Sequence, residues 1–264
     1  MRDNILNYET DITYVGSLSF DKVKTTLLNN IPFADKLKPR DMYILPRMEY
    51  DKSTIFVYHN PKAKQVAVNA YIPGGKANDK ARLQESLFNQ YFGSGMTSIL
   101  FQEIREFRSL SYSASGSYSF PSKLYPDVKG RFTAFLSTQA DKTNEAIDLL
   151  QQLITEMPEK PERLDIIKNG IAESINTSKP NFRYVPGYAY SLIREGYTED
   201  TRKTRLDYSK TAEFSDIVDF YTQYLKGKTI HYALIGNTKK FDLKALEKYG
   251  TIKRLKQGEI MKKL

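Results

Sequence analysis

The sequence of 264 residues contains no cysteine and only two histidines, His59 and His231. The lack of cysteine excludes a disulfide scaffold, thiolate ligation of zinc or iron–sulfur clusters, and a cysteine nucleophile. A catalytic zinc takes about three protein ligands, and neither H-E-x-x-H nor H-x-x-E-H can be written with these histidines. Both lie in β-prone runs, where a structural role is the usual one. We therefore expect no metal ion and no cofactor in this chain.

Long apolar runs are also missing. No stretch approaches the ~18 consecutive apolar residues of a transmembrane helix, and the first residues lack the apolar run of a signal peptide. No membrane segment is expected, and the sequence is compatible with the bacterial periplasm, the cell envelope or the cytoplasm. The strings G-x-x-x-x-G-K-[ST], G-x-G-x-x-G and G-x-S-x-G are absent as well, so nucleotide binding and a serine-hydrolase elbow have little support.

What the chain does contain is enough apolar material for a packed core, with 40% hydrophobic and 27% charged residues. Its formal net charge is +9, which on its own would fit a nucleic-acid binder. Residues 239–264, however, hold nine Lys/Arg and three acidic residues. We interpret residues 250–264 as a solvated, flexible basic tail, and we expect no nucleic-acid partner.

The first part of the chain predicts a short strand at residues 12–16 and a helix that Ser19 caps and that ends before Pro32. Residues 32–52 hold three prolines and many charges, and we interpret them as an extended connection. Residues 53–59 and 65–72 alternate apolar and polar side chains, so each predicts a strand. The segment 60–63, with Pro61, predicts a hairpin turn between them.

A helix with one apolar stripe is predicted before Gly93, and the Gly93–Gly95 segment breaks it at what we interpret as a tight corner. A second helix is predicted over residues 97–107. From residue 111 the period changes to two, which predicts strands over residues 111–120 and 128–136. In this pattern Tyr112 lies on the apolar face of its strand, where core packing is the default. The serines that alternate with the apolar residues form either a close-packed or a solvent-exposed face.

Further helices are predicted from Asp141, Pro161 and Pro186 and over residues 214–225, with a strand at 229–236 and a short helix after it. Residues 196–210 are polar and carry no predicted element. Strands cluster in local pairs and helices in blocks, which is typical of an α+β fold with a mixed or antiparallel sheet and not of a doubly wound α/β fold.

One segment carries a specific resemblance. The sequence from Phe92 to Ser113 resembles the segment G-G-x-x-S-x-L-F-x-E-L-R-E-x-x-G-L-A-Y-S of the M16 (pitrilysin/insulinase) metallopeptidases. The matching residues are Gly93, Gly95, Ser98, Leu100, Phe101, Glu103, Arg105, Glu106, Leu110, Tyr112 and Ser113. Ser109 and Ser111 stand where the family has Gly and Ala. The segments that open and close the chain are also similar to the ends of the family's second-type domain, so the resemblance covers nearly the whole chain.

The resemblance implies an α+β domain of the LuxS/MPP-like metallohydrolase fold, with a mixed, mostly antiparallel sheet covered by helices. Residues 1–264 would form a single C-terminal-type domain of a longer multi-domain protease, so Met1 is not expected to be the native start. In the family a zinc ion is held by H-x-x-E-H in the N-terminal half. Zinc is therefore expected in the N-terminal half of the full-length protein or in a partner subunit, and the isolated chain is expected to be inactive.

The resemblance also assigns two site residues, which would act in trans to the zinc-bearing half. Arg105 would hold a carbonyl or carboxylate of the peptide substrate. Tyr112 would donate its hydroxyl to the carbonyl that becomes the oxyanion. An exposed arginine that only solubilises a helix and a tyrosine that packs in the core are the alternatives from the residues alone. The main alternative function is a non-catalytic structural or interaction subunit of the same fold.

Overall fold

The computed structural model describes residues 6–39 and 50–260 of the chain. They divide into two compact units. We call Glu49–Ser178 together with Glu199–Leu264 the core unit, and Met1–Met48 together with Lys179–Thr198 the helical unit. The prediction for residues 40–49, part of the extended connection, lies outside the described residues. Within the described part of the chain, no helix has both the length and the apolar character needed to cross a bilayer.

The core unit is built on one six-stranded sheet. Its strands are β1 (Thr54–His59), β2 (Gln65–Pro73), β3 (Ser111–Ser119), β4 (Arg131–Gln139), β5 (His231–Gly236) and β6 (Thr251–Leu255). Their order across the sheet is β3-β4-β2-β5-β1-β6. The three pairs from β3 to β5 are antiparallel, and β1 pairs in parallel with both β5 and β6. The fold is therefore α+β with a mixed, mostly antiparallel sheet, as predicted.

The α-helices follow the predicted periodicity except for two, one in a polar stretch and a short one in the segment interpreted as a flexible tail. They are α1 (Phe20–Asn30), α2 (Asp79–Phe92), α3 (Thr143–Thr155), α4 (Leu164–Thr177), α5 (Val185–Arg194), α6 (Thr201–Thr211), α7 (Phe214–Tyr224) and α8 (Gln257–Ile260). A π-helix spans Phe101–Glu106, and short 3₁₀ turns span Ala140–Lys142, Pro161–Arg163, Phe182–Tyr184 and Lys244–Tyr249. Helix α6 lies in the polar stretch where we predicted no element. Asp200 caps it by accepting a hydrogen bond from the Arg202 backbone N–H.

One face of the sheet is buried under helices. Strand β2 shows the reason, because Val66, Val68, Ala70 and Ile72 are buried while the residues between them are partly or fully exposed. Apolar side chains of β4 and β3 continue this face, and aromatic rings of α2 and α7 pack onto it. On the opposite face of β3, Ser113, Ser115 and Ser117 are exposed. From Ser113 to Ser117 the serine stripe is thus a solvent-exposed face.

Three predictions about strands were wrong. Strands β1 and β2 do not form a hairpin, because β5 lies between them and pairs with both. Residues 12–16 form no strand, since nothing in the described part of the chain pairs with them; the isolated bridge nearby joins Tyr8 and Lys38. Residues 251–255, placed in a flexible basic tail, form the edge strand β6. Lys253 and Arg254 are exposed there, and charged side chains on an edge strand disfavour pairing with another chain.

The helical unit carries α1 and α5, and neither helix has a buried residue. Helix α1 begins as predicted, with the Ser19 hydroxyl accepting a hydrogen bond from the Lys22 backbone N–H at 3.4 Å. Large apolar side chains of this unit are exposed, among them Phe20, Leu28, Phe182 and Ile193. Periodicity therefore predicted the two helices, although their apolar stripes contribute nothing to the core of the domain.

Candidate functional site

The Arg105 segment begins at the corner that follows α2. Gly93 ends the helix, and its carbonyl oxygen accepts a hydrogen bond from the Gly116 backbone N–H of β3 at 3.0 Å. A Cβ atom on Gly93 would lie 2.1 Å from the Gly116 oxygen, so no side chain fits there without moving backbone. Gly95 has φ +83°, in the left-handed region that glycine adopts most readily. The glycines thus have a structural role, and they fix where the next helix starts relative to β3.

That next helix is π-helical where it carries Arg105. The backbone N–H of Phe107 donates to the Gln102 oxygen at 2.9 Å, five residues back, in place of the α-helical partner four residues back. The predicted helix over residues 97–107 is therefore present, but with an extra residue in its turn. Single π-turns of this kind often occur at functional sites.

The helix ends in a Schellman motif that is widened by one residue and that directs the chain into β3. The Leu110 N–H donates to the Ile104 oxygen, six residues back, and the Ser109 N–H donates to the Arg105 oxygen, four residues back, where the standard motif spans five and three residues. Ser109 has φ +50°. This left-handed conformation costs a residue with a Cβ roughly 1–2 kcal/mol, which explains why glycine is usual at this position in the motif. Ile104 and Leu110 are both buried and supply the apolar contact of the motif.

A β-bulge then turns Tyr112 away from the core. The register between β3 and β4 shifts between Ser111 and Ser113, so the simple alternation that we extended from Ala114 back to Tyr112 fails. Ser111 is only 5% exposed, whereas Tyr112 is 77% exposed. The prediction that Tyr112 lies on the apolar face was wrong, because a bulge inserts one extra residue and reverses the sides beyond it.

The Ser111 hydroxyl satisfies the backbone groups that the bulge leaves unpaired. It accepts hydrogen bonds from the N–H groups of Ser113 and Ser137, at 3.2 and 3.1 Å. The carbonyl oxygens of the same two residues lie 2.7 Å away, and its single proton can be donated to either of them. This role was missed in the sequence, where Ser111 had no function beyond standing in for alanine. A serine at the start of an alternating strand gives no signal for a bulge.

The structure brings Arg105 and Tyr112 together. The Arg105 guanidinium carbon lies 4.5 Å from the centroid of the Tyr112 ring and 4.7 Å from that of Phe101. Phe101 precedes Arg105 by four residues on the helix, while Tyr112 reaches it from β3. The guanidinium therefore makes cation–π contacts with two aromatic rings, a kind of contact that arginine favours.

The basic side chains near Arg105 are paired with other groups of the same domain. Glu103 accepts hydrogen bonds from Lys160 Nζ at 2.9 Å and from Arg108 Nη1 at 2.6 Å. Partial burial opposes ionisation of Glu103, but these two hydrogen bonds outweigh it and lower the pKa of the carboxyl. Arg163 donates to the Thr97 carbonyl oxygen at 2.6 Å. The loop that carries Lys160 and Arg163 therefore holds the Arg105 segment in place, a function of Glu103 that the motif match did not reveal.

The two histidines do not form a metal centre. His59 Nδ1 lies 2.8 Å from the Thr238 hydroxyl. His231 is buried between Tyr50 and Tyr71, and burial lowers its pKa. Among residues 6–39 and 50–260, no three His, Asp or Glu side chains come close enough to hold a metal ion. The described residues do not fit the zinc of the M16 peptidases, so we derive no step through a metal bound to this chain.

Comparison with known families decides the assignment of the chain. The family profile described as the peptidase M16 inactive domain matches residues 12–171. The chain belongs to this family. The match includes the whole segment from Gly93 to Tyr112. No curated protein matched the sequence.

Several solved structures share the fold, among them a peptidase M16 inactive domain. The inactive M16 domain from Pseudomonas fluorescens superposes with a TM-score of 0.62 at 18% identity, over 83% of this chain and 50% of that one. A protease from Helicobacter pylori gives 0.58 at 17% identity, over 84% of this chain and 53% of that one. The periplasmic protease PqqL from Escherichia coli gives 0.59 at 13% identity, over 83% and 24%. The chain thus spans about half the length of the first two proteins and about a quarter of the length of the third.

Proposed function

We propose that this M16 inactive domain completes the substrate site of a zinc endopeptidase whose metal-binding half lies elsewhere in the polypeptide or in a partner subunit. The observation that carries the proposal is the pairing of Arg105 with Tyr112, both available to a ligand, at the end of the matched segment. Two of the structurally similar proteins are described as proteases. An M16 inactive domain implies a zinc-bearing partner half.

Arg105 and Tyr112 have separate roles in the proposed site. The phenol of Tyr112 donates a hydrogen bond to the carbonyl oxygen on which negative charge develops during hydrolysis. Such a donor stabilises the transition state more than the ground state, because the oxygen becomes more negative. Arg105 binds a second backbone carbonyl and holds the peptide extended. The substrate is an extended peptide or a small unfolded protein, because two halves that close around it admit only what fits between them.

The rigid frame supports these roles. Catalytic donors must be held in place before the reaction to contribute fully. Here the Schellman motif, the Ser111 hydrogen bonds and the ion pairs of Glu103 fix the backbone on both sides of the pair. On this frame, the Arg105 guanidinium lies against the exposed ring of Tyr112.

The test is turnover in the complete enzyme, in which the zinc-bearing half is present. Tyr112→Phe should lower kcat by roughly 10²–10³, the effect of losing an oxyanion donor, and Arg105→Ala, which loses the contact that holds the peptide in position, should lower kcat/KM by roughly 10². Matched controls come from the helical unit. Tyr184 is 72% exposed, and Arg183 also stacks on a ring, that of Phe182. Tyr184→Phe and Arg183→Ala should leave kcat within about twofold.

Wild-type turnover in both site variants would overturn the proposal and favour the alternative, a non-catalytic subunit in which the pair is structural. The sequence of the natural polypeptide, or of a neighbouring subunit, distinguishes the peptidase from the non-catalytic subunit without an activity assay. An H-x-x-E-H motif there supports the peptidase, and its absence supports the structural subunit.

A further inference from the structure

Arg105 combines two aromatic contacts with one ion pair. The rings of Phe101 and Tyr112 lie against its guanidinium. The N–H groups of a guanidinium donate to acceptor oxygens of a ligand, and a charge beside those groups influences which ligands they bind.

Glu106 is the ion-pair partner of Arg105. Its Oε1 atom is 3.4 Å from Arg105 Nε, and both side chains are partly exposed, at 34% for Arg105 and 45% for Glu106. An exposed ion pair of this kind adds little stability. Its effect on a ligand is different, since it places a negative charge beside the guanidinium that would bind that ligand. Glu103 does not share this effect, because Lys160 and Arg108 neutralise it.

We propose that Glu106 is a specificity-determining residue that biases Arg105 toward the neutral carbonyl of an internal peptide bond and against a terminal carboxylate. This inference rests on the proposed function, because it concerns the substrate that Arg105 binds. A carboxylate bound by Arg105 would share the guanidinium with the Glu106 carboxylate, and the repulsion between the like charges weakens binding by about threefold to tenfold, depending on how well water screens it. A neutral carbonyl carries no such penalty.

The test compares two peptides that differ in one charge. Acetyl-trialanine with a free C-terminal carboxylate and the same peptide with a C-terminal amide are titrated into the full chain, and the NMR signal of the Arg105 Nε–H group reports binding. Glu106→Gln should tighten binding of the carboxylate peptide by about threefold to tenfold and leave the amide peptide within twofold. The gain should shrink in 0.5 M salt, which a merely structural change would not cause.

The matched control is Glu199→Gln, which removes a similarly exposed carboxylate that is paired with Lys203. It should change neither affinity. Glu106→Asp should retain most of the wild-type selectivity. If Glu106→Gln leaves the ratio of the two affinities unchanged, the role of Glu106 is overturned, while binding of the peptides still supports the proposed function. If Arg105→Ala leaves both affinities unchanged, or if neither peptide binds the wild type, the role of Glu106 is overturned as well, while turnover of the complete enzyme with Arg105→Ala and Tyr112→Phe decides the proposed function separately.

Discussion

The core unit and the helical unit contain similar apolar residues but use them in opposite ways. Every buried hydrophobic residue in the described part of the chain belongs to the core unit. In the helical unit, α1 and α5 bury nothing, although each has an apolar stripe. The difference teaches that an amphipathic pattern predicts a helix, whereas stability comes only from the area that neighbouring elements remove from water. The candidate site lies wholly in the core unit, on segments held by the buried sheet.

The sharpest test of this comparison pairs one phenylalanine from each unit. Phe220 is fully buried among Phe88, Tyr118 and Tyr224, and Phe220→Ala should lower the free energy of unfolding by about 3–5 kcal/mol. Phe182 is 63% exposed, and Phe182→Ala should change it by less than about 0.5 kcal/mol. Urea denaturation followed by circular dichroism measures both. Equal losses would mean that the helical unit is as well packed as the core.

A smaller effect is expected inside the core unit, at the bulge that exposes Tyr112. Ser111→Ala leaves the N–H groups of Ser113 and Ser137 without their acceptor. Burying unpaired donors costs about 1–3 kcal/mol, so the free energy of unfolding should fall by that amount. Hydrogen exchange at the two amides should become faster, which identifies the cause. Ser115→Ala, on the exposed face of the same strand, is the control and should have almost no effect.

A stability of Ser111→Ala equal to that of the wild type would contradict the account of the bulge. Tyr112 would then owe its exposure to something other than the hydrogen bonds of Ser111. The frame that holds the candidate site would have to be sought in the Schellman motif alone.

The sequence predicted much of the fold. Period-two and helical stripes located the helices and most strands, because these patterns follow directly from which side of an element is buried. These patterns did not predict the order of the strands in the sheet. The turn at Pro61 looked like a hairpin, but β5, from more than 160 residues later, lies between the two strands. Helix α6 has only a weak apolar stripe, so no pattern indicated it.

The candidate site was predicted in part. The motif resemblance put Arg105 and Tyr112 together, and the structure places the two side chains in contact. The resemblance did not predict the backbone geometry that brings them together. Ser109 adopts a left-handed conformation that redirects the chain, and the bulge at Ser111 inserts one residue into β3. The alternation of apolar and polar residues carries no information about either feature. The ion pair between Glu103 and Lys160 joins residues that are far apart in the chain, so sequence spacing does not predict it either.

The most direct test of the central claim mixes this chain with a zinc-bearing half, identified by H-x-x-E-H in the natural polypeptide or a neighbouring subunit. Cleavage of an unfolded peptide is measured for each part alone and for the mixture, together with the zinc content of each. The account predicts no cleavage and no stoichiometric zinc for this chain alone, and cleavage by the mixture that falls about 10²–10³-fold with Tyr112→Phe. Chelator-sensitive cleavage with one bound zinc in the isolated chain would contradict it.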